Sequence, residues 1–232
     1  FDTKGKKRIR GVQLMSLSED GRAVSGPLRS VECDLLVVSG GWSPTVQLHA
    51  QARGRPRFDA KKACFVAGDP VQAERSVGAC RGSFDLVACL AEGSDGGAAA
   101  AQAAGYGEGR PPQPLPAVDP IAGDPIRPLW IVPSSVPISR APKQFVDFQM
   151  DVTSADILVA VREGYDSIEY VKRYTTLGMG PDQGKLGNVN GIAVLAQQLG
   201  TDLGSIGTTT FRPMYTPVTS GAMSGGERRD LF

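Results

Sequence analysis

Between Phe145 and Gly200 the sequence falls into three apolar stripes of helical period, each closed by a glycine. Thr153 and Asp156 stand at the spacing of a capping box, with Asp in place of the usual Glu. Ile157, Leu158 and Val161 follow at helical spacing, and Gly164 supplies a residue suited to a left-handed stop. Asp166 and Glu169 repeat the cap signal. Ile168, Val171 and Tyr174 or Thr175 form a second stripe, closed by Gly178. After a polar, glycine-rich loop, Ile192, Val194, Leu195 and Leu199 make a third, ending at Gly200. Three short helices joined by glycine turns are expected.

The same stretch carries a resemblance. Its order is similar to the small helical 2Fe–2S module of bacterioferritin-associated ferredoxins, which is also built into the large subunits of several amine- and cyanide-forming dehydrogenases. That family reads V-C-x-C-x-x-V-T, then two helices, then G-M-G-P-C-Q-G-x-x-C. The matching runs here are Val146–Thr153 and Gly178–Gly187, and the four cysteine positions hold Asp147, Gln149, Asp182 and Gly187. A 2Fe–2S cluster is held mainly by thiolates, and glycine offers no side-chain ligand. The scaffold is therefore expected to be kept and the iron–sulfur cluster lost. Polar filling of the vacated pocket is the expected use of Asp147 and Asp182, with a paired-carboxylate site as the alternative. VDFQxDVT, VKRYTTLGM and DQGK together resemble the alpha subunits of heterotetrameric sarcosine oxidases.

The 232 residues allow one large domain or two modest ones. With 25 basic and 24 acidic residues, no overall charge bias points to nucleic acid. No apolar run approaches the ~20 residues of a bilayer-crossing helix, so no membrane partner is expected, and the compartment expected is the cytoplasm. Phe1-Asp2-Thr3-Lys4 lacks an initiator Met and a signal peptide, and the chain reads as an internal stretch of a longer polypeptide. Cys33, Cys64, Cys80 and Cys89 are far apart and form no C-x-x-C pair, which favours small reduced side chains over a disulfide. His49 is the only histidine, which favours a surface or structural role over a histidine-rich metal site.

Residues 1–39 read as strands and turns. Lys4, Lys6, Lys7, Arg8 and Arg10 suit a solvated hairpin end, and Asp20-Gly21 is a turn signal. Leu35–Val38, between Asp34 and Gly40-Gly41, fits a strand buried on both faces of a sheet. Ala63–Ala67 is a second strand ending in Gly68-Asp69, and a helix is expected over Ala79–Glu92. This order resembles the closing half of the flavoprotein fold with two dinucleotide-binding domains. The resemblance implies that the Gly68-Asp69 carboxylate meets a sugar hydroxyl of a dinucleotide. It also aims the following helix at the cofactor, with Ala79, Ser83, Phe84 and Leu86 beside it. Free amides and the dipole at a helix start favour phosphate. The glycine-rich fingerprint of a complete dinucleotide-binding unit is absent, so at most half of such a site lies here.

Ten prolines from Pro111 to Pro142 exclude a long helix and make a stiff connection, in which Leu129–Val132 is expected to pack on a domain face. Gly207–Val218 resembles the joint leading into a folate-binding, aminomethyltransferase-like domain. The fold class expected is α/β plus all-α: the C-terminal half of a flavoprotein-type dinucleotide-binding domain, then a helical ferredoxin-like module without its cluster. The divisions are 1–108 for the former, 109–144 for the linker, 145–204 for the module and 205–232 for the start of the folate domain.

The resemblance implies a set of roles. The complex oxidises an amine, sarcosine, with oxygen to glycine and peroxide. NAD binds the alpha subunit, FMN lies at the interface with the beta subunit, and tetrahydrofolate in the folate domain takes the one-carbon unit. The partners are the beta, gamma and delta subunits. Arg173–Thr176 either lies near the interface flavin or caps a helix end. No residue stands out as a catalytic acid, base or nucleophile. The alternatives are a large subunit of a related amine, opine or proline dehydrogenase, and a non-catalytic scaffold docking a flavoprotein.

Overall fold

The computed structural model describes residues 2–107, 114–119, 123, 126–213 and 216–225. Pro111, Pro112, Pro120, Pro125, Met214, Tyr215 and the end from Arg228 to Phe232 lie outside the described residues.

The chain opens with an antiparallel meander of β1 (Asp2–Gly5), β2 (Ile9–Leu17) and β3 (Val24–Glu32). The basic run lies at the β1–β2 hairpin end, as expected. Asp20-Gly21 makes the β2–β3 turn: the Ser18 hydroxyl donates to Asp20 at 2.6 Å, and the Ser18 amide donates to the Ala23 carbonyl at 2.8 Å. Leu35–Val38 departs from expectation. It forms no strand, and Leu35, Val37 and Val38 are 71%, 80% and 78% exposed. A strand exists only through ladder bonds to a neighbour, and no described segment lies alongside this run.

A short helix α1 (Gln47–Gln51) leads to the hairpin of β4 (Arg57–Asp59) and β5 (Cys64–Val66), and β5 is buried throughout. The helix expected over Ala79–Glu92 divides in two. Gly78–Arg81 is a single 3-10 turn, stopped by Gly82 at φ 94°. The α-helix α2 begins only after Asp85, whose carboxylate accepts the Ala88 amide at 2.8 Å, and runs over Leu86–Ala103. The Asp85 cap sets the start, and the alanine-rich Ala98–Ala103 carries the helix past Gly93, Gly96 and Gly97. None of its residues is fully buried.

The helical unit follows the sequence pattern closely. A two-stranded ladder of β6 (Phe145–Asp147) and β7 (Val152–Thr153) leads into α3 (Ser154–Arg162). Both halves of the Thr153–Asp156 capping box form, with the Thr153 amide donating to Asp156 at 2.8 Å. Gly164, at φ 95°, ends the helix. Two details of α4 (Ile168–Thr175) differ from expectation. Its first residue follows Ser167 rather than an Asp166 cap, and Thr176, not Gly178, takes the left-handed stop, at φ 65°. The Leu177 amide donates to Thr175 Oγ1 beside that stop, and Glu169 is turned to another use described below. Helix α5 (Asn188–Leu199) stops at Gly200, φ 64°, as the pattern requires. Short helices α6 (Leu203–Ile206) and α7 (Ser220–Met223) complete the described elements.

One core joins these parts. Ile157, Val171, Leu177, Val194 and Leu195 are fully buried between the helices, and Phe65 of β5 belongs to the same cluster. Burying each such side chain is worth about 1.5–3 kcal/mol. Trp130 and Ile131 pack against this cluster from the proline-rich segment, as expected for Leu129–Val132, whose outer members stay exposed. Among the described residues no helix is long and apolar enough to cross a membrane.

Candidate functional site

Two places carry the residues singled out by sequence. The first is the loop joining α4 to α5 and the strand β6 beneath it. Asp147 is buried, and both its oxygens are used: Oδ1 accepts the amides of Gln149 (2.9 Å) and Met150 (3.1 Å), and Oδ2 accepts that of Gly178 (2.8 Å). Gln149 Oε1 accepts the Asp182 amide at 3.3 Å. Asp182 in turn accepts the amides of Gly184 (3.0 Å) and Leu186 (3.3 Å). A Cβ on Gly187 would stand 3.5 Å from the Asp147 Cα and 2.6 Å from the Val146 carbonyl oxygen. Positions 147, 149, 182 and 187 are therefore close neighbours. Their carboxylates are spent on backbone amides, which fits polar filling of the pocket rather than a paired-carboxylate site.

Arg173 donates to Glu169, at 2.7 Å to its carbonyl and 2.9 Å to its carboxylate, and Thr175 Oγ1 donates to the Val171 carbonyl at 2.7 Å. These bonds cap the end of α4. Burial pushes the Glu169 carboxyl up, but the Thr210 amide, Lys172 and Arg173 outweigh it and leave the group below the usual carboxylate range.

The second place lies where β5 ends. His49, Gly68, Asp69, Glu74, Arg81 and Glu92 line one hollow. Asp69 is exposed and accepts no hydrogen bond among the described residues, so its carboxylate is available to hydroxyl donors. Gly68 has no room for a side chain, because a Cβ would run into the Arg55 carbonyl oxygen. Ala79 lies in the 3-10 turn, and Ser83 just beyond it. The Ser83 hydroxyl is engaged: it donates to Glu92 Oε1 at 2.6 Å, while Glu92 Oε2 accepts the Gly78 amide at 2.8 Å. The Ser83 hydroxyl, then the Gly78 amide, hold Glu92 below the usual carboxylate range. Phe84 and Leu86 are 40% and 58% exposed at the start of α2. Gly68 and Asp69 line the hollow, whereas Ala79, Ser83, Phe84 and Leu86 lie beyond its lining.

Sequence reasoning placed His49 at the surface or in a structural role; the structure buries it. Nε2 accepts the Gly68 amide at 3.1 Å, and Nδ1 pairs with Glu74 Oε1 at 2.7 Å. A Cβ on Gly54 would collide with the imidazole ring. Histidine, Glu74 and Gly68 are 25 and 19 residues apart in sequence, so no local pattern could have joined them. A third hollow separates Gln47 from Asn188 at the start of α5; the buried oxygens Gln47 Oε1 and Asn188 Oδ1 have no protein donor there.

Residues 141–227 match the family model of the sarcosine oxidase A3 domain. Over its whole length the chain is 39% identical to the sarcosine oxidase subunit alpha of Rhizobium meliloti (strain 1021), of which the match covers 24%. It is 40% identical to the subunit of the same name from Corynebacterium sp. (strain P-1), over 97% of this chain and 23% of that one. The chain is similar along essentially its whole length to sarcosine oxidase alpha subunits. It spans about a quarter of the length of these curated relatives. Among solved structures it resembles the L-proline dehydrogenase from P. horikoshii, with a TM-score of 0.63 and 21% identity over 95% of this chain and 43% of that one. That likeness concerns the fold, and it agrees with a flavoprotein-type architecture for the α/β part.

Proposed function

We propose that this chain is part of the alpha subunit of an oxidase that converts sarcosine and oxygen to glycine and peroxide and passes the released one-carbon unit to tetrahydrofolate. The observation carrying the reading is the near-40% identity to sarcosine oxidase alpha subunits along essentially the whole chain. The loop at positions 147, 149, 182 and 187 supports it. Amide hydrogen bonds fill the place that the ferredoxin-like resemblance assigns to a cluster, and no thiol stands there.

In this reading the chain supplies one half of an NAD site. Asp69 at the end of β5 accepts ribose hydroxyls, and Gly68 forms the turn with it. The first amides of α2, on Leu86 and Val87, have no acceptor within the helix and face the phosphates, with Ala79, Ser83 and Phe84 beside them. NAD supplies a nucleotide surface here; this chain's residues bind and orient it. FMN belongs to the interface with a beta subunit and tetrahydrofolate to a folate-binding domain. Gamma and delta subunits complete a cytoplasmic complex. The boundaries 1–108, 109–144, 145–204 and 205–232 remain the proposed divisions.

Oxygen uptake by the intact complex on adding sarcosine, with stoichiometric peroxide, is the expected result. No uptake with sarcosine overturns the reading. A second reading, a large subunit of an amine or proline dehydrogenase, draws on the fold likeness to L-proline dehydrogenase. Iron analysis separates the two. A bound 2Fe–2S cluster favours the dehydrogenase; iron-free complex with sarcosine-dependent oxygen uptake favours the oxidase.

A further inference from the structure

We propose that His49 is a positioning residue for the dinucleotide half-site, holding the Gly68-Asp69 turn in binding geometry only while its imidazole is neutral. The proposal rests on the reading of Gly68 and Asp69 as cofactor-binding residues.

The argument starts from the hydrogen-bond roles. The Gly68 amide is a donor, so the ring nitrogen facing it at 3.1 Å must accept. Nε2 therefore carries no proton. The proton of the neutral ring sits on Nδ1 and is donated to the Glu74 carboxylate at 2.7 Å. The pair fixes both the tautomer and the ring plane. The ring is confined further by Gly54, where any side chain would strike it. Only 3% of His49 is exposed, so water cannot take over either bond without a shift of the chain.

Gly68 is closely backed by the Arg55 carbonyl oxygen, which a Cβ on Gly68 would strike. A proton arriving at Nε2 turns the acceptor into a donor pointed at another donor. The Gly68 amide is then pushed off the ring, and Asp69, the next residue, moves with it. The charged groups around the ring set where this occurs. Glu74 touches it at 2.7 Å. Asp69, Glu92 and Asp95 share the hollow and add negative charge, opposed by Arg75 and Arg81. Acid thus uncouples the carboxylate that the half-site offers to a ribose.

The test is NAD affinity of the intact complex against pH. For the native protein the dissociation constant should be flat at high pH and rise toward about tenfold per pH unit once the imidazole titrates. His49→Gln keeps an acceptor for the Gly68 amide but cannot titrate. Its affinity at high pH should stay within about threefold of native, and its profile should be flat. Glu74→Gln keeps an acceptor for Nδ1–H, so its affinity at high pH should also stay within about threefold of native. A flat native profile, or an unchanged break in His49→Gln, overturns the proposal. Hydrogen exchange of the peptide spanning residues 64–70 gives an answer independent of the nucleotide. Acid should speed exchange at Gly68 beyond the intrinsic rate in the native complex and not in His49→Gln. If NAD binds at no pH, the cofactor reading fails, and this exchange result alone decides whether His49 governs the turn.

Discussion

Asp147 satisfies three backbone amides from a position only 5% exposed. Asp147→Asn exchanges one acceptor oxygen for a donor and sets it against an amide. Leaving such a buried group unsatisfied costs about 1–3 kcal/mol, to be measured as a lower midpoint in urea. Gly187 is tight in another sense. It stands where the ferredoxin-like pattern has a cysteine, yet a Cβ there would lie 2.6 Å from the Val146 carbonyl oxygen. The backbone has closed over the position. Gly187→Cys should therefore lower stability by about 1–3 kcal/mol, read by thermal unfolding, rather than recover a ligand position. Cys64 shows how burial governs reactivity. Desolvation, aided by Asp59, pushes its thiol up to about 11. The nucleophile in alkylation is the thiolate. Iodoacetamide at pH 8 should modify Cys64 far more slowly in the folded chain than after denaturation, as peptide mass mapping would show.

At the scale of elements, local signals were legible where a side chain acts on its own neighbours. The Thr153–Asp156 box forms as the three-residue spacing requires, and Thr153→Ala should cost about 0.5–2 kcal/mol in unfolding free energy. The glycines at 164 and 200 stop α3 and α5 where expected. The helix expected from Ala79 starts later because Gly82 stops the first turn and the cap that decides the start of α2 is Asp85. Glu169 departs from expectation for a different reason. It has a cap residue's spacing, but its carboxylate reaches 41 residues along the chain to accept the Thr210 amide at 2.6 Å. That bond, with the Gln51 side chain donating to the Arg212 carbonyl, ties the segment after Gly207 to the helical unit and to α1. The Glu169 carboxyl is depressed in the folded state, so its contribution is present above the unfolded carboxylate value and is lost as pH falls through the folded one. Hydrogen exchange around Thr210, taken relative to the intrinsic rate, should therefore rise on acidification below about pH 4.5. In Glu169→Gln this acid-dependent step should be absent.

Across the whole molecule, legibility divides at the core. The helical unit buries its own stripes, so period alone located it. The α/β part does not close on itself in this way. Leu35–Val38 has the composition of a strand covered on both faces, but composition alone does not supply the neighbours that would cover it. In this chain, which matches about a quarter of each curated relative, the four residues are 47% to 80% exposed, and Trp42 nearby is 81% exposed. Helix α2 adds exposed Leu86 and Val87. Contiguous apolar surface of this kind drives association. The 232-residue chain, produced by itself, should self-associate at micromolar concentration, seen as concentration-dependent sedimentation. Charge placed in the run by Leu35→Glu with Val37→Lys should reduce that association. The buried helical core is remote from the substituted side chains in the packing, so its thermal transition should stay where it was. If the double variant sediments as the native chain does, the association arises elsewhere, and the exposed face of α2 becomes the surface to substitute next.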